Sequence, residues 1–165
     1  MNKIAILYGS TTGNTEAVAK KISSLLNADL FNVADGPAEI HEKYDILILG
    51  ASTWGFGDLQ DDWEEFLPTL ESANLQGKII AIFGLGDADN YPDSFVDGIG
   101  TIYNAIEGKG CKIVGFTPVS EFSFEKSTAV IGDQFVGLPL DEDNESSLSE
   151  GRIRNWIEQL KKEFN

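Results

Sequence analysis

The stretch Ile46-Leu47-Ile48-Leu49 is apolar at every position rather than at every second one, so a strand formed there must be covered on both faces. Four other short runs share this character: Ile4 to Tyr8, Leu30 to Val33, Ile79 to Phe83 and Ile113 to Phe116. They alternate with segments of helical period. Val18, Ile22, Leu25 and Leu26 form one stripe, Phe95, Ile99, Ile102 and Ile106 another, and Ile153, Trp156, Ile157, Leu160 and Phe164 a third. Trp63, Phe66, Leu67 and Leu70 make a fourth, in which Pro68 is expected to bend or break the helix, because it has no N–H and crowds the preceding turn. Buried strands alternating with amphipathic helices predict a doubly wound α/β fold, a five-stranded parallel sheet between two helical layers. At 165 residues and 42% apolar content, residues 1–165 suffice for one domain.

Residues 118–137 interrupt the scheme before the last helix. Phe122, Phe124, Val130, Ile131, Phe135 and Val136 give this insertion the character of a small extra sheet, after which the chain returns at Leu138-Pro139-Leu140. A polar connector, Asp141 to Ser147, leads into a final helix expected to be capped by Ser149. Within the connector, Asn144-Glu145-Ser146 matches a glycosylation sequon that a chain without a secretory signal would not present to the transferase. Asp141, Asp143 and Glu145 have the spacing of a calcium loop, but Ser146 replaces the required glycine and Arg152 the terminal glutamate.

The first strand runs into Gly9-Ser10-Thr11-Thr12-Gly13-Asn14-Thr15, which opens a helix. A helix start offers unpaired N–H groups and a positive dipole end, and the hydroxyls of Ser10, Thr11, Thr12 and Thr15 add donors for an anion. The loop has no Lys or Arg, which suits a monophosphate better than a triphosphate. It is not a nucleotide-triphosphate loop, since only three residues separate Gly9 from Gly13 and Asn14 stands where Lys is required. Gly84-Leu85-Gly86 likewise fails as a dinucleotide fingerprint, because Asp89 takes the place of the third glycine.

Twenty-seven acidic against 12 basic side chains give a formal charge of −15, which argues against nucleic acid and anionic membranes and favours basic protein partners. One cysteine, Cys111, and one histidine, His41, leave no basis for a disulfide, a Cys/His metal site or a Cys–His pair. Without an apolar run of bilayer length or a signal-like start, the expected setting is cytoplasmic, with no membrane insertion.

In a doubly wound sheet, ligands bind at the carboxyl ends of the strands. Three loops should meet there: Ser10 to Thr15, Ala51 to Gln60 and Leu85 to Val96. Trp54 on the second and Tyr91 on the third can sandwich a flat heterocycle. A planar ligand with a monophosphate tail is flavin mononucleotide (FMN).

The motifs G-S-T-T-G-N-T at Gly9 to Thr15, T-W-G at Thr53 to Gly55 and G-D-x-x-x-Y at Gly86 to Tyr91 resemble those of the flavodoxins. The resemblance spans the chain, and the insertion is similar to that of the long-chain subgroup. It implies a flavodoxin-like three-layer sandwich with strand order 2-1-3-4-5, the last strand interrupted by the insertion. It further implies that Ser10, Thr11, Thr12, Gly13, Asn14 and Thr15 hold the FMN phosphate. Ser52, Thr53, Trp54, Gly55, Phe56, Gly57, Gly86, Asp87, Asn90, Tyr91 and Phe95 would surround the ring, with Asp143 near the ribityl chain. In the family the peptide after the tryptophan turns its carbonyl toward the flavin; Gly55 stands where some long-chain members have Asn.

The implied function is low-potential electron transfer between a reductase and acceptor proteins, by a monomer, without catalytic residues. Ten carboxylates between Gly50 and Gly100 (Asp58, Asp61, Asp62, Glu64, Glu65, Glu71, Asp87, Asp89, Asp93, Asp97) face one base, Lys78. Such a rim steers basic redox partners and disfavours an anionic reduced flavin. Two alternatives are an FMN-dependent NAD(P)H:quinone or azo reductase, which would need room for nicotinamide on the ring, and a phospho-acceptor domain. The latter would need carboxylates where the chain has Tyr8-Gly9 and Gly50-Ala51.

Overall fold

The computed structural model describes residues 3–37 and 39–165. Its strands β1 (Ile4–Tyr8), β2 (Asp29–Asn32), β3 (Ile46–Trp54) and β5 (Ile79–Leu85) lie parallel, in the order β5-β3-β1-β2. The fifth position is shared by two short strands. β6 (Lys112–Val114) pairs with Ile79 to Ala81, and β10 (Leu138–Leu140) pairs with Phe83 to Leu85. The last strand is thus interrupted as expected. Between its halves, β7 (Thr117–Pro118), β8 (Val130–Ile131) and β9 (Gln134–Phe135) form a separate antiparallel sheet.

The continuous apolar runs are explained by cover on both faces. On one side, α1 (Asn14–Leu26) and α5 (Ser146–Glu163) place Val18, Ile22, Trp156 and Leu160 against Ile6, Ile48, Phe83 and Leu140. On the other, α3 (Asp61–Ser72) and α4 (Asp97–Ile106) place Trp63, Phe66, Ile99 and Ile102 against Leu7, Leu47, Leu49 and Ile82. A four-residue helix, α2 (Ile40–Lys43), precedes β3. Two fully buried tryptophans satisfy their indole N–H at glycine carbonyls, Trp63 at Gly50 O (2.7 Å) and Trp156 at Gly115 O (2.8 Å). Arg152 fastens the insertion to α5: it pairs with Glu145 at 3.0 Å, donates to the Glu121 carbonyl at 3.1 Å and stands 4.3 Å over the Phe122 ring.

Three expectations need correction. α3 continues through Pro68 to Ser72 without a break. Pro68 and Glu64, whose carbonyl it deprives of a donor, are both exposed, so water can take the missing bond. The final helix is not capped by Ser149: it starts at Ser146, with Glu145 in the cap position and no side-chain cap, and Ser149 is buried inside it. Phe95 lies before α4 rather than on its stripe, in an aromatic cluster with Phe122, Phe124 and Phe135.

Candidate functional site

A cavity of about 430 Å³ opens at the carboxyl ends of β1, β3 and β5, and it is lined by Thr12, Asn14, Thr15, Ser52, Thr53, Trp54, Gly55, Leu85, Gly86, Asp87, Tyr91, Glu142 and Asp143. That volume is within the ordinary range for a cofactor-sized ligand. The three loops meet there, and the connector after β10 supplies a fourth wall that the sequence reading had represented by Asp143 alone.

The hydroxyl loop is shaped by its own atoms: Ser10 Oγ accepts from Gly13 N at 3.0 Å. Gly13, at φ 95°, turns the chain into α1. The amides of Thr12, Asn14 and Thr15 find no acceptor among the described residues, as the orphan donors of a helix start should not without an anion. Thr15 is 2% exposed yet lines the cavity, and no cation does so among the described residues. Ser10, Thr11 and Gly13 belong to the loop but are not part of the wall.

β3 continues four residues past Gly50, where the apolar run read from the sequence ends, and carries Ser52, Thr53 and Trp54 to the cavity. Trp54 Nε1 donates to Ser52 Oγ at 3.0 Å, which orients the indole, and Thr53 Oγ1 accepts from Gly98 N at 2.8 Å, tying the loop to α4. The hairpin to β4 (Asp58–Leu59) turns at Gly55, whose φ is 52°, and closes with Gly57 N donating to Trp54 O at 3.2 Å. Trp54 is 42% and Tyr91 38% exposed, and both line the cavity. Phe56, 92% exposed, stands edge-on to Tyr91 with centroids 5.9 Å apart, outside the cavity wall. Gly57, Asn90 and Phe95 also lie off the wall.

Asp87 accepts from Asn90 Nδ2 (2.7 Å), Asn90 N (3.1 Å) and Asn144 Nδ2 (2.8 Å). Burial pushes its carboxyl up, but the donated bonds outweigh that and hold it below the ordinary carboxylate value. Asp143 is shifted the other way, by burial first and then by the charges of Asp87, Asp141 and Glu142. The buried Asp141 accepts from Ala88 N, Asn144 N and Asn144 Nδ2, so it joins the third loop to the connector. Glu142, Asn144 and Gln60 are the contributors the sequence reading did not single out. Asn144 and Gln60 each reach one partner far along the chain, Asp87 and Thr11, which no local spacing marks.

The family model described as Flavodoxin matches residues 6–156. Flavodoxin 1 of Escherichia coli K12 is 43% identical over 164 residues, covering 97% of this chain and 93% of that protein. The flavodoxin of Helicobacter pylori is 46% identical over 165 residues, with 99% of each chain covered. Among solved structures, the Fusobacterium nucleatum flavodoxin bound to flavin mononucleotide superposes with a TM-score of 0.94 at 34% identity, over the whole of both chains. With this sequence match, this sheet order and this cavity, the chain belongs to the flavodoxin family.

Proposed function

We propose that this chain is a low-potential electron carrier that binds one FMN non-covalently in the cavity at the strand ends, the whole chain serving as one FMN-binding unit. The observation that carries the reading is the pairing, in one cavity, of a cation-free helix start with unpartnered amides and two half-exposed aromatics from separate loops. The donor set suits a monophosphate, and the aromatics suit a flat ring. Thr12, Asn14 and Thr15 would hold the phosphate, Trp54 and Tyr91 the ring faces, and Gly55, Gly86 and Asp87 the ring edge. Asp143 and Glu142 stand where a polar side chain of the ligand would pass. When bound, the flavin supplies one-electron chemistry; the protein supplies orientation, exclusion of water and an acidic surround.

Carrier rather than reductase is favoured because Trp54 and Tyr91 both line the cavity, and an aromatic on each face of the ring would leave nicotinamide no place to stack. The exposed carboxylates Asp58, Asp61, Glu64 and Glu65 beside the second loop support transient docking of a basic reductase and a basic acceptor by the monomer. A cytoplasmic setting belongs to the same reading and agrees with the free Cys111; no helix among the described residues is long and apolar enough to cross a membrane.

Calorimetric titration with FMN and with riboflavin tests the site. FMN should bind more tightly by several kcal/mol, at about 1.5–3 for each charge-assisted bond to the phosphate. The complex should show flavin absorption near one per chain. Equal affinity for the two ligands would refute the phosphate cradle.

A further inference from the structure

Gln60, which follows β4, is polar yet only 1% exposed. Its carboxamide has one possible orientation. The backbone N–H of Trp63 can only donate, and it lies 3.2 Å from Oε1, so the oxygen is on that side. The ionised Asp62 carboxylate can only accept, and it lies 2.9 Å from Nε2. The other Nε2 proton is left for Thr11 Oγ1, at 3.2 Å and 49 residues away in sequence.

Everything beneath the hydroxyl loop is built around this amide. A Cβ at Gly9, where the loop leaves β1, would come within 2.3 Å of Gln60 Oε1 and 2.7 Å of Trp63 Cδ1, so only glycine lets the loop lie on them. The Gly50 carbonyl accepts from both Gly9 N (3.2 Å) and Trp63 Nε1 (2.7 Å). Loop entry, loop centre and the first turn of α3 are thus one hydrogen-bonded unit. Thr11 itself stays off the cavity wall, and its hydroxyl is engaged by the buried amide beneath the loop rather than by the cavity.

We propose that Gln60 is a positioning residue for the phosphate loop: it clamps Thr11 from behind and so fixes the neighbouring amides that receive the anion. This rests on the FMN reading above and assigns Thr11 to the clamp rather than to the phosphate. A loop held in the receptive shape before binding loses less freedom on binding. The clamp therefore strengthens FMN binding and leaves riboflavin, which has no phosphate, unaffected.

The test is a double-mutant cycle of Thr11→Val and Gln60→Met, with the ratio of FMN to riboflavin affinity as readout. Each single variant should lower FMN affinity about fivefold with riboflavin unchanged, one hydrogen bond being worth roughly that factor. The double variant should bind no more weakly than Gln60→Met alone, and Thr11→Ser should restore the parent ratio. Losses that multiply in the double variant would mean that the Thr11 hydroxyl meets the phosphate independently, and would overturn the clamp. A parent protein that does not prefer FMN would overturn the site reading itself, a result distinct from a preference that Thr11→Val leaves intact, which overturns the clamp alone. Should Gln60→Met not fold, amide exchange in Thr11→Val decides. Faster exchange of the Gln60 side-chain protons supports the clamp, and unchanged protection overturns it.

Discussion

Asn144 Nδ2 lies 2.8 Å from Asp87 Oδ1, joining the connector after β10 to the loop after β5 across 57 residues of sequence. The same amide bonds both oxygens of Asp141, at 3.0 and 2.9 Å, so one side chain compensates two of the carboxylates crowded at the cavity edge. Removing it exposes their repulsion.

Asn144→Ala should therefore raise the Asp87 pKa. Because that carboxyl is held below its ordinary value in the fold, its contribution to stability is present at neutral pH and lost as pH falls through the lowered pKa. With one donor gone, the loss should begin at higher pH and the contribution should shrink. Asp143 has the opposite sign: its raised pKa means that its charged form is disfavoured in the fold, a cost that sets in as pH rises above the ordinary carboxylate value and is complete above the raised one. Asp143→Asn should thus match or slightly exceed the parent in stability at neutral pH, the gap closing toward about pH 4. Carboxyl titration by NMR and denaturation midpoints at the two pH values check both. An Asp87 pKa that does not move in Asn144→Ala would contradict the assignment.

Trp54→Ala should weaken FMN binding by about 1–3 kcal/mol, the range for stacking a flat base on one aromatic ring. The protein should stay folded, because Trp54 is 42% exposed and its indole N–H bonds only the neighbouring Ser52. Flavin emission should be quenched in the parent complex and should partly return in the bound fraction of the variant. Binding and quenching equal to the parent would rule out the sandwich.

Much of this arrangement is legible in the sequence. Five apolar runs placed the strands because a doubly covered sheet leaves a continuous signature, and the hydroxyl loop, Trp54 and Tyr91 followed from where those runs end. Residues that bridge distant segments were not readable. Gln60 looks like any polar residue before a helix, and its role depends on Thr11 coming to lie above it. Ser149 was misplaced for a related reason. Glu145 N already bonds Asp141 O at 2.8 Å and Leu148 N bonds Glu145 O at 2.9 Å, so the helix is under way before Ser149, which ends buried within it. Pro68 does not end α3, because the Glu64 carbonyl that loses its donor is on the wet side of the helix, where water can take the missing bond.

The acidic rim divides into free and engaged charges, which sharpens the docking test. Asp61, Glu64 and Glu65 are exposed, whereas Asp62 holds Gln60 and Asp97 accepts from Thr128 N at 2.8 Å. The triple variant Asp61→Asn, Glu64→Gln, Glu65→Gln should flatten the ionic-strength dependence of electron transfer with a basic partner and leave FMN affinity unchanged, since exposed rim charges act mainly on the encounter rate. Asp62→Ala should instead reduce FMN affinity through Gln60, because it removes the acceptor that holds Nε2. Stopped-flow rates over a salt series separate the two, and a parent rate independent of salt would count against steering.

Under the FMN reading, Gly55 should couple backbone conformation to redox potential. It sits at φ 52° in the turn closed by Gly57 N on Trp54 O. The nearest atom a Cβ would meet is Asp58 Oδ2 at 3.6 Å, an ordinary contact, so substitution there is opposed by backbone conformation rather than by crowding. Left-handed backbone costs an L-residue about 1–2 kcal/mol, and a β-branched one more. Gly55→Val should therefore drive the turn toward another shape and withdraw the peptide carbonyl that would accept a hydrogen bond from a protonated ring nitrogen after one-electron reduction. Losing that acceptor disfavours the one-electron-reduced form and makes the first couple more negative. Since about 1.4 kcal/mol corresponds to 59 mV in a one-electron couple, the shift should be of that order, with Gly55→Ala falling between Val and the parent. The second couple should stay low in every variant, because the carboxylates of Asp87, Glu142 and Asp143 remain at the cavity and no cation among the described residues lines it. Spectroelectrochemical titration measures both couples; a first couple that is the same in Gly55→Val as in the parent would detach the turn from control of the flavin.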